Sequence, residues 1–143
     1  MELRLDDSIG FHLNRANTQV KKLWIHYLKP HGITPEQWAV LNRLWERDGV
    51  IARDLAALVS KDAPNTARIL DKLMKKQLIR REPDATDKRI WRIFLTPAGR
   101  ALREKLMPLA VEGMTVITNG LSAGDQRKLL KLLRRLYDNA GGE

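Results

Sequence analysis

Residues 53–97 read RDLAALVSKDAPNTARILDKLMKKQLIRREPDATDKRIWRIFLTP, and the hydrophobic period changes within them. Over residues 53–59, Leu55, Leu58 and Val59 share one face of a short helix. Residues 60–62 form a turn in which Asp62 is placed to cap a second helix. That helix, expected to run to about Gln77, buries Ile69, Leu70, Leu73 and Met74. It displays Asn65, Arg68, Lys72 and Lys75 on its other side, at helical spacing. After Gln77 the period falls to two. Residues 78–82 are extended, residues 83–88 have turn chemistry, and residues 90–95 alternate with Trp91, Ile93 and Leu95 on one side.

Helix, turn, helix and hairpin in that order make a winged helix-turn-helix. Outside it the chain is helical. Ile9, Leu13, Ala16, Val20, Trp24 and Tyr27 form one stripe of a long helix over residues 7–28, closed by Pro30 and Gly32. Thr34, Pro35 and Gln37 carry the signature of a capped helix start, and the apolar face of that helix is Trp38, Leu41, Leu44 and Trp45. Asp48 and Gly49 stop it, and Val50-Ile51 is a short extended piece. Thr96 and Pro97 open another helix with Leu102, Leu106, Leu109, Gly113 and Ile117 inward, and Pro108 inside it predicts a bend. Ser122 and Asp125 open the last, with Leu129, Leu133, Leu136 and Tyr137 on one face. Residues 141–143 are expected to fray. The fold class is therefore mainly α with a small β-hairpin wing. The chain divides into three segments: residues 1–31 and 97–143 as dimerisation helices, and residues 32–96 as the lobe between them.

Charge points to a polyanionic partner. The 143-residue chain carries a formal +9, and residues 61–92 alone contribute +5 of it, from ten basic and five acidic side chains. A solvated basic face is the competing reading for any single lysine. What decides is where the residues stand. Asn65 and Arg68 occupy the first turns of the second helix of the pair, where side chains reach base edges; Asn pairs with adenine and Arg with guanine in the major groove. Lys61, Lys72 and Lys75 suit phosphates, which position without reading. Arg89, with Lys88 beside it, sits at the hairpin tip, where an arginine can enter a narrow, strongly negative minor groove. Arg80 and Arg81 flank the hairpin base as further candidate DNA contacts of the wing, and one of them can instead pair with Glu82 or Asp71.

Three blocks resemble the MarR family of bacterial regulators: Arg68-Ile69-Leu70-Asp71-Lys72-Leu73, then Asp87-Lys88-Arg89 after Pro83-Asp84, then Leu95-Thr96-Pro97-Ala98-Gly99. They stand in the family's order and spacing, and the flanking helices extend the resemblance over nearly the whole chain. It implies a homodimer with intertwined terminal helices, acting on double-stranded DNA at a palindromic operator, with repression relieved by a small, often aromatic effector. It also implies that Arg89 enters the minor groove and that Asp87 braces the hairpin, often by pairing with an Arg. Two positions depart from the family. Ala67 stands where Thr or Ser is common, leaving Thr66 one position early as a contact. Gln77 stands where Gly is common; a left-handed Gln costs about 1 kcal/mol relative to Gly, so the helix is expected to end differently.

Other chemistries are thinly represented. There is no cysteine and only three histidines, so neither a thiolate site nor a transition-metal site is expected, and no cofactor. No nucleophile–base elbow, phosphate-cradling glycine loop or catalytic carboxylate pair is visible, so an enzyme is not expected. His12, Arg15 and Trp38 are candidate lining residues of an effector cavity, with Trp24 and Trp45 as weaker ones; packing is the plainer role for the tryptophans. No apolar run reaches membrane-spanning length and the N-terminus lacks a basic then apolar leader, so a cytoplasmic protein with no membrane partner is expected. A winged helix that binds RNA, or serves only protein interaction, is the alternative reading. The terminal stripes carry more apolar surface than residues 32–96 can cover, which independently predicts a dimer.

Overall fold

The computed structural model describes residues 1–59 and 62–142. A short 3₁₀ turn, Leu5–Asp7, leads into α1, Ile9–Leu28, and a second one, Lys29–His31, forms the elbow into α2, Pro35–Glu46. Then come β1, Val50–Ile51, α3, Ala52–Val59, and α4, Ala63–Lys75. Strands β2, Ile79–Pro83, and β3, Trp91–Leu95, form the hairpin, and α5, Pro97–Ile117, and α6, Ala123–Asn139, complete the chain. The sheet is antiparallel in the order β1-β3-β2. Ile79 stands opposite Leu95 and Arg81 opposite Ile93, while Val50 joins Ile93 from the other edge.

The capping chemistry sets the helix starts. Ser8 accepts from the Phe11 N–H and opens α1. Thr34 and Gln37 make the reciprocal capping box of α2, and Ser122 with Asp125 makes that of α6. Thr96 caps α5 by accepting from the Gly99 N–H. Pro108 lies within α5 without ending it. The core is one cluster between α2, α3, α4 and the sheet, built on Leu41, Leu44, Leu55, Leu73 and Ile93, with Leu28 and Leu106 reaching in from α1 and α5.

Three expectations change at helix and strand ends. Helix α4 stops at Lys75 rather than near Gln77, and Gln77 has φ +59°, the single left-handed non-glycine among the described residues. The Leu78 N–H reaches the Leu73 carbonyl and the Gln77 N–H reaches that of Met74. This is a Schellman ending, the same left-handed stop that glycine would make. Where fraying is expected, residues 141–142 close the end of α6, the Gly142 N–H bonding the Tyr137 carbonyl and the Gly141 N–H that of Asp138; Glu143 lies outside the described residues. Trp91 has the parity of Ile93 and Leu95 but lies beyond the core edge, 41% exposed.

Helix α6 buries no residue. Leu129, Leu130, Leu132 and Tyr137 remain exposed, as do Ile9 and Leu13 on α1. Complete burial of a side chain of this size stabilises by about 1.5–3 kcal/mol, so the terminal helices present apolar surface that one chain leaves uncovered.

Candidate nucleic-acid interface

Asp62 organises the start of α4. One carboxylate oxygen accepts the Asn65 N–H at 2.8 Å; the other accepts the Asn65 side-chain amide at 3.0 Å. The Asn65 amide oxygen in turn accepts from the Arg68 guanidinium. Both ends of the Asn65 amide are thus engaged within the helix, and Asn65 holds Arg68 one turn further along. Arg68, Lys72 and Lys75 form an exposed row. Arg68 and Lys72 edge a shallow notch, about 270 Å³, against Thr34 and Glu36 at the start of α2.

Thr66 does not belong to that row. It is 2% exposed and its hydroxyl donates to the Asp62 carbonyl at 3.0 Å, so its place as a DNA contact is corrected to a structural one. Lys61 lies outside the described residues. Lys76, which sequence reasoning passed over, turns away from the row: its ammonium donates to the Gln37 side-chain oxygen at 2.8 Å and to the Gly32 carbonyl.

The wing turn is built on Asp84. Its carboxylate accepts the N–H groups of Thr86 and Asp87 at 3.1 and 3.0 Å and the Arg92 guanidinium at 2.5 Å. These partners, the Asp87 N–H foremost and then Arg92, hold the Asp84 pKa down at about 2. Arg92 also donates to the Gly49 carbonyl at 2.8 Å, joining the wing to the lobe. Asp84 and Arg92 therefore brace the base of the turn, while the Arg pairing expected of Asp87 is made with Arg89. The Pro-Asp turn signal at residues 83–84 pointed to Asp84; nothing in the pattern singled out Arg92.

Asp87 instead serves the tip. It accepts the Arg89 backbone N–H at 3.1 Å and both Nε and Nη2 of the Arg89 side chain at 3.0 Å, and the Arg89 guanidinium is what chiefly lowers its pKa. Arg89 stays 90% exposed in this bidentate pair. Lys88 is exposed beside it. At the hairpin base, Arg80 pairs with Glu82 and lies over Phe94 at 4.9 Å. Arg81 lies over Trp91 at 4.7 Å. The two arginines stiffen opposite faces of the wing.

The effector candidates do not converge within one chain. His12 lines an apolar cleft of about 490 Å³ between α1 and α6, with Leu13, Leu133 and Leu136, and its Nε2 lies 2.8 Å from the Asp6 carbonyl oxygen. Arg15 sits over Phe11. Trp38 lines a different cavity, about 520 Å³, with Trp24, Asn42, Met107, Met114 and Thr118. Trp45 is structural: its indole N–H donates to the Gly99 carbonyl at 2.9 Å, and its ring meets Trp38 edge-on at 5.4 Å. Trp24 packs on Gly113, where a Cβ would stand 2.6 Å from the indole.

Comparison with known proteins matches this arrangement. A family model described as "MarR family" matches residues 33–91, the lobe from the start of α2 to the wing. The HTH-type transcriptional regulator TtmR of Methylorubrum extorquens is 30% identical over 136 residues, 94% of this chain and 68% of that protein. A probable transcriptional regulator from Pseudomonas aeruginosa has a crystal structure that superposes with a TM-score of 0.84 at 38% identity, over 93% of this chain and 99% of that one. A MarR family regulator from Silicibacter pomeroyi gives 0.82 at 25% identity, over 97% and 96% of the two chains.

Proposed function

Because the chain belongs to the MarR family of DNA-binding transcription regulators, we propose that it acts as a homodimer on a palindromic operator, with α4 in the major groove and the wing tip in the minor groove. The observation that carries this reading is the exposed row Arg68, Lys72 and Lys75 beside a wing whose tip offers Arg89 and Lys88. Arg68 is the base reader and Asn65 its brace. Lys72 and Lys75 meet phosphates, Lys61 joins them ahead of the helix, and Arg80 and Arg81 support the wing.

The uncovered apolar faces of α1 and α6 supply the dimer contact, so residues 1–31 and 97–143 are its arms and residues 32–96 its DNA-binding lobe. The dimer also bears on the effector. His12 and Arg15 lie on the exposed part of α1, so a partner's α1 is what could bring them to the cavity of Trp24 and Trp38; there a small aromatic effector would sit between arm and lobe and release repression. Among the described residues no helix is long and apolar enough to cross a membrane, which is compatible with action on DNA in the cytoplasm.

The test is a selection of bound sequences from random duplexes, joined to sedimentation of the free protein and of the complex. The expected result is a sequence with two half-sites centred one helical turn, about 34 Å, apart, bound by two chains. A monomer at micromolar concentration, or equal binding of structured RNA, overturns the reading.

A further inference from the structure

We propose that Lys76 is a positioning residue for DNA reading, fastening the end of the recognition helix to the α1–α2 elbow instead of contacting a phosphate. The inference rests on the reading that α4 enters the major groove.

Three lysines, Lys72, Lys75 and Lys76, crowd the end of α4, and the sequence marks only Lys72 and Lys75 as phosphate ligands. The structure separates them. Lys76 is the C-cap of α4, and its ammonium is committed to two acceptors on the elbow, the Gly32 carbonyl and the Gln37 side-chain oxygen. Gln37 is itself 2% exposed, and the same oxygen also accepts the Thr34 N–H at 3.2 Å. One side-chain oxygen thus caps α2 and receives the end of α4. Partial burial, and secondarily the charge of Lys72, lowers the Lys76 pKa, in keeping with an ammonium drawn out of water toward fixed acceptors.

The next residue is gripped from the other side. The Gln77 carbonyl accepts the Thr96 hydroxyl at 2.6 Å, and the Leu78 carbonyl accepts the Thr96 N–H at 3.0 Å. Residues 76–78 are therefore where the start of α2 and the start of α5 both hold the recognition helix. A base-reading side chain works only if its helix axis is correctly set in the groove, so loosening this junction should reduce discrimination more than general attraction. A lost phosphate contact does the opposite: it weakens every sequence alike and releases fewer counterions.

The experiment compares Lys76→Met and Lys75→Met with the unsubstituted protein, on a duplex selected from random sequence and on a random duplex of equal length, across a salt series. For Lys76→Met the selected duplex should be bound about tenfold more weakly, the scale of one lost base contact. The random duplex should change less than about twofold, with the salt slope unaltered. Lys75→Met should weaken both duplexes equally and flatten the slope by about 0.9 per half-site. Lys76→Arg, which keeps the charge and a donor, should recover part of the discrimination. If Lys76→Met does not fold, Gln37→Met removes one of the two acceptors, together with the α2 capping box, while leaving the lysine in place, and the same loss of discrimination with an unaltered salt slope is expected. A flattened slope with equal losses for Lys76→Met, or unchanged discrimination in the folded variant, overturns the proposal. An unsubstituted protein that binds both duplexes equally overturns the DNA-reading assignment of α4, and the proposal with it.

Discussion

Asp84 and Arg92 meet at 2.5 Å across the base of the wing turn, and the same guanidinium continues to the Gly49 carbonyl behind it. The Asp84 carboxylate thus holds the guanidinium that ties the wing turn to the lobe. That carboxylate has its pKa at about 2, against an ordinary 3.8. A depressed carboxylate stabilises the fold fully above its unfolded value, and the contribution is lost as pH falls through the folded value. The thermal midpoint of Asp84→Asn should therefore lie below that of the unsubstituted protein at neutral pH. The gap should stay constant down to pH about 4 and close toward pH about 2. A gap independent of pH over that range would show that the charge of Asp84 is not what holds the wing.

Arg68→Ala should cost about 1–3 kcal/mol per half-site on the selected operator and blur preference at one base position. Asn65→Ala should cost less, since Arg68 keeps its donors and loses only its brace. Thr66→Val should leave operator preference intact, because its hydroxyl is spent on the Asp62 carbonyl, and should lower stability by about 1 kcal/mol. Binding of each variant to operators with single base changes separates the three outcomes.

Arg89→Ala should lose affinity mainly on operators with A·T-rich flanks, where a narrow minor groove concentrates negative potential. Its thermal stability should hardly change, because the pair with Asp87 is exposed and such pairs contribute little. Asp87→Ala frees Arg89 and leaves Asp84–Arg92 in place, so the hairpin should persist. A series with the operator core fixed and the flanks switched between A·T and G·C reads this directly. Equal losses for Arg89→Ala on both flanks would make Arg89 an ordinary phosphate contact.

Gln77→Gly should stabilise the protein by about 1 kcal/mol, because the left-handed stop at φ +59° costs a side-chain-bearing residue about that much. Gly99→Ala should do the reverse. Its Cβ would lie 2.0 Å from the Leu78 carbonyl oxygen, and backbone has to move, at a cost of about 1–3 kcal/mol or more. Denaturant midpoints for the two variants test the pair.

The two alternating periods in residues 53–97 were enough to read helix, helix and hairpin, because each element buries one regular face. Caps were equally legible: Thr34, Asp62, Thr96 and Ser122 act locally, three residues ahead. What could not be read were partnerships between distant positions. Arg92 joins Asp84 and Gly49 across the sheet, and Lys76 joins a residue 44 positions away; no spacing rule encodes either. Thr66 was misplaced for a related reason. A hydroxyl beside Arg68 looks like a contact in one dimension, whereas about 100° of helical rotation per residue turns it into the core.

The four tryptophans divide three and one. Trp24, Trp38 and Trp45 gather where α1, α2 and α5 meet, two of them at 5.4 Å and two lining one cavity, while Trp91 stands alone on the wing, partly open to water. The molecule therefore carries two optical probes at separate addresses. An aromatic molecule entering the cavity should quench or shift the emission of the clustered indoles, and a duplex approaching the wing should alter that of Trp91. With Trp91→Phe as the control, one titration in light emission alone can tell which of the two is bound.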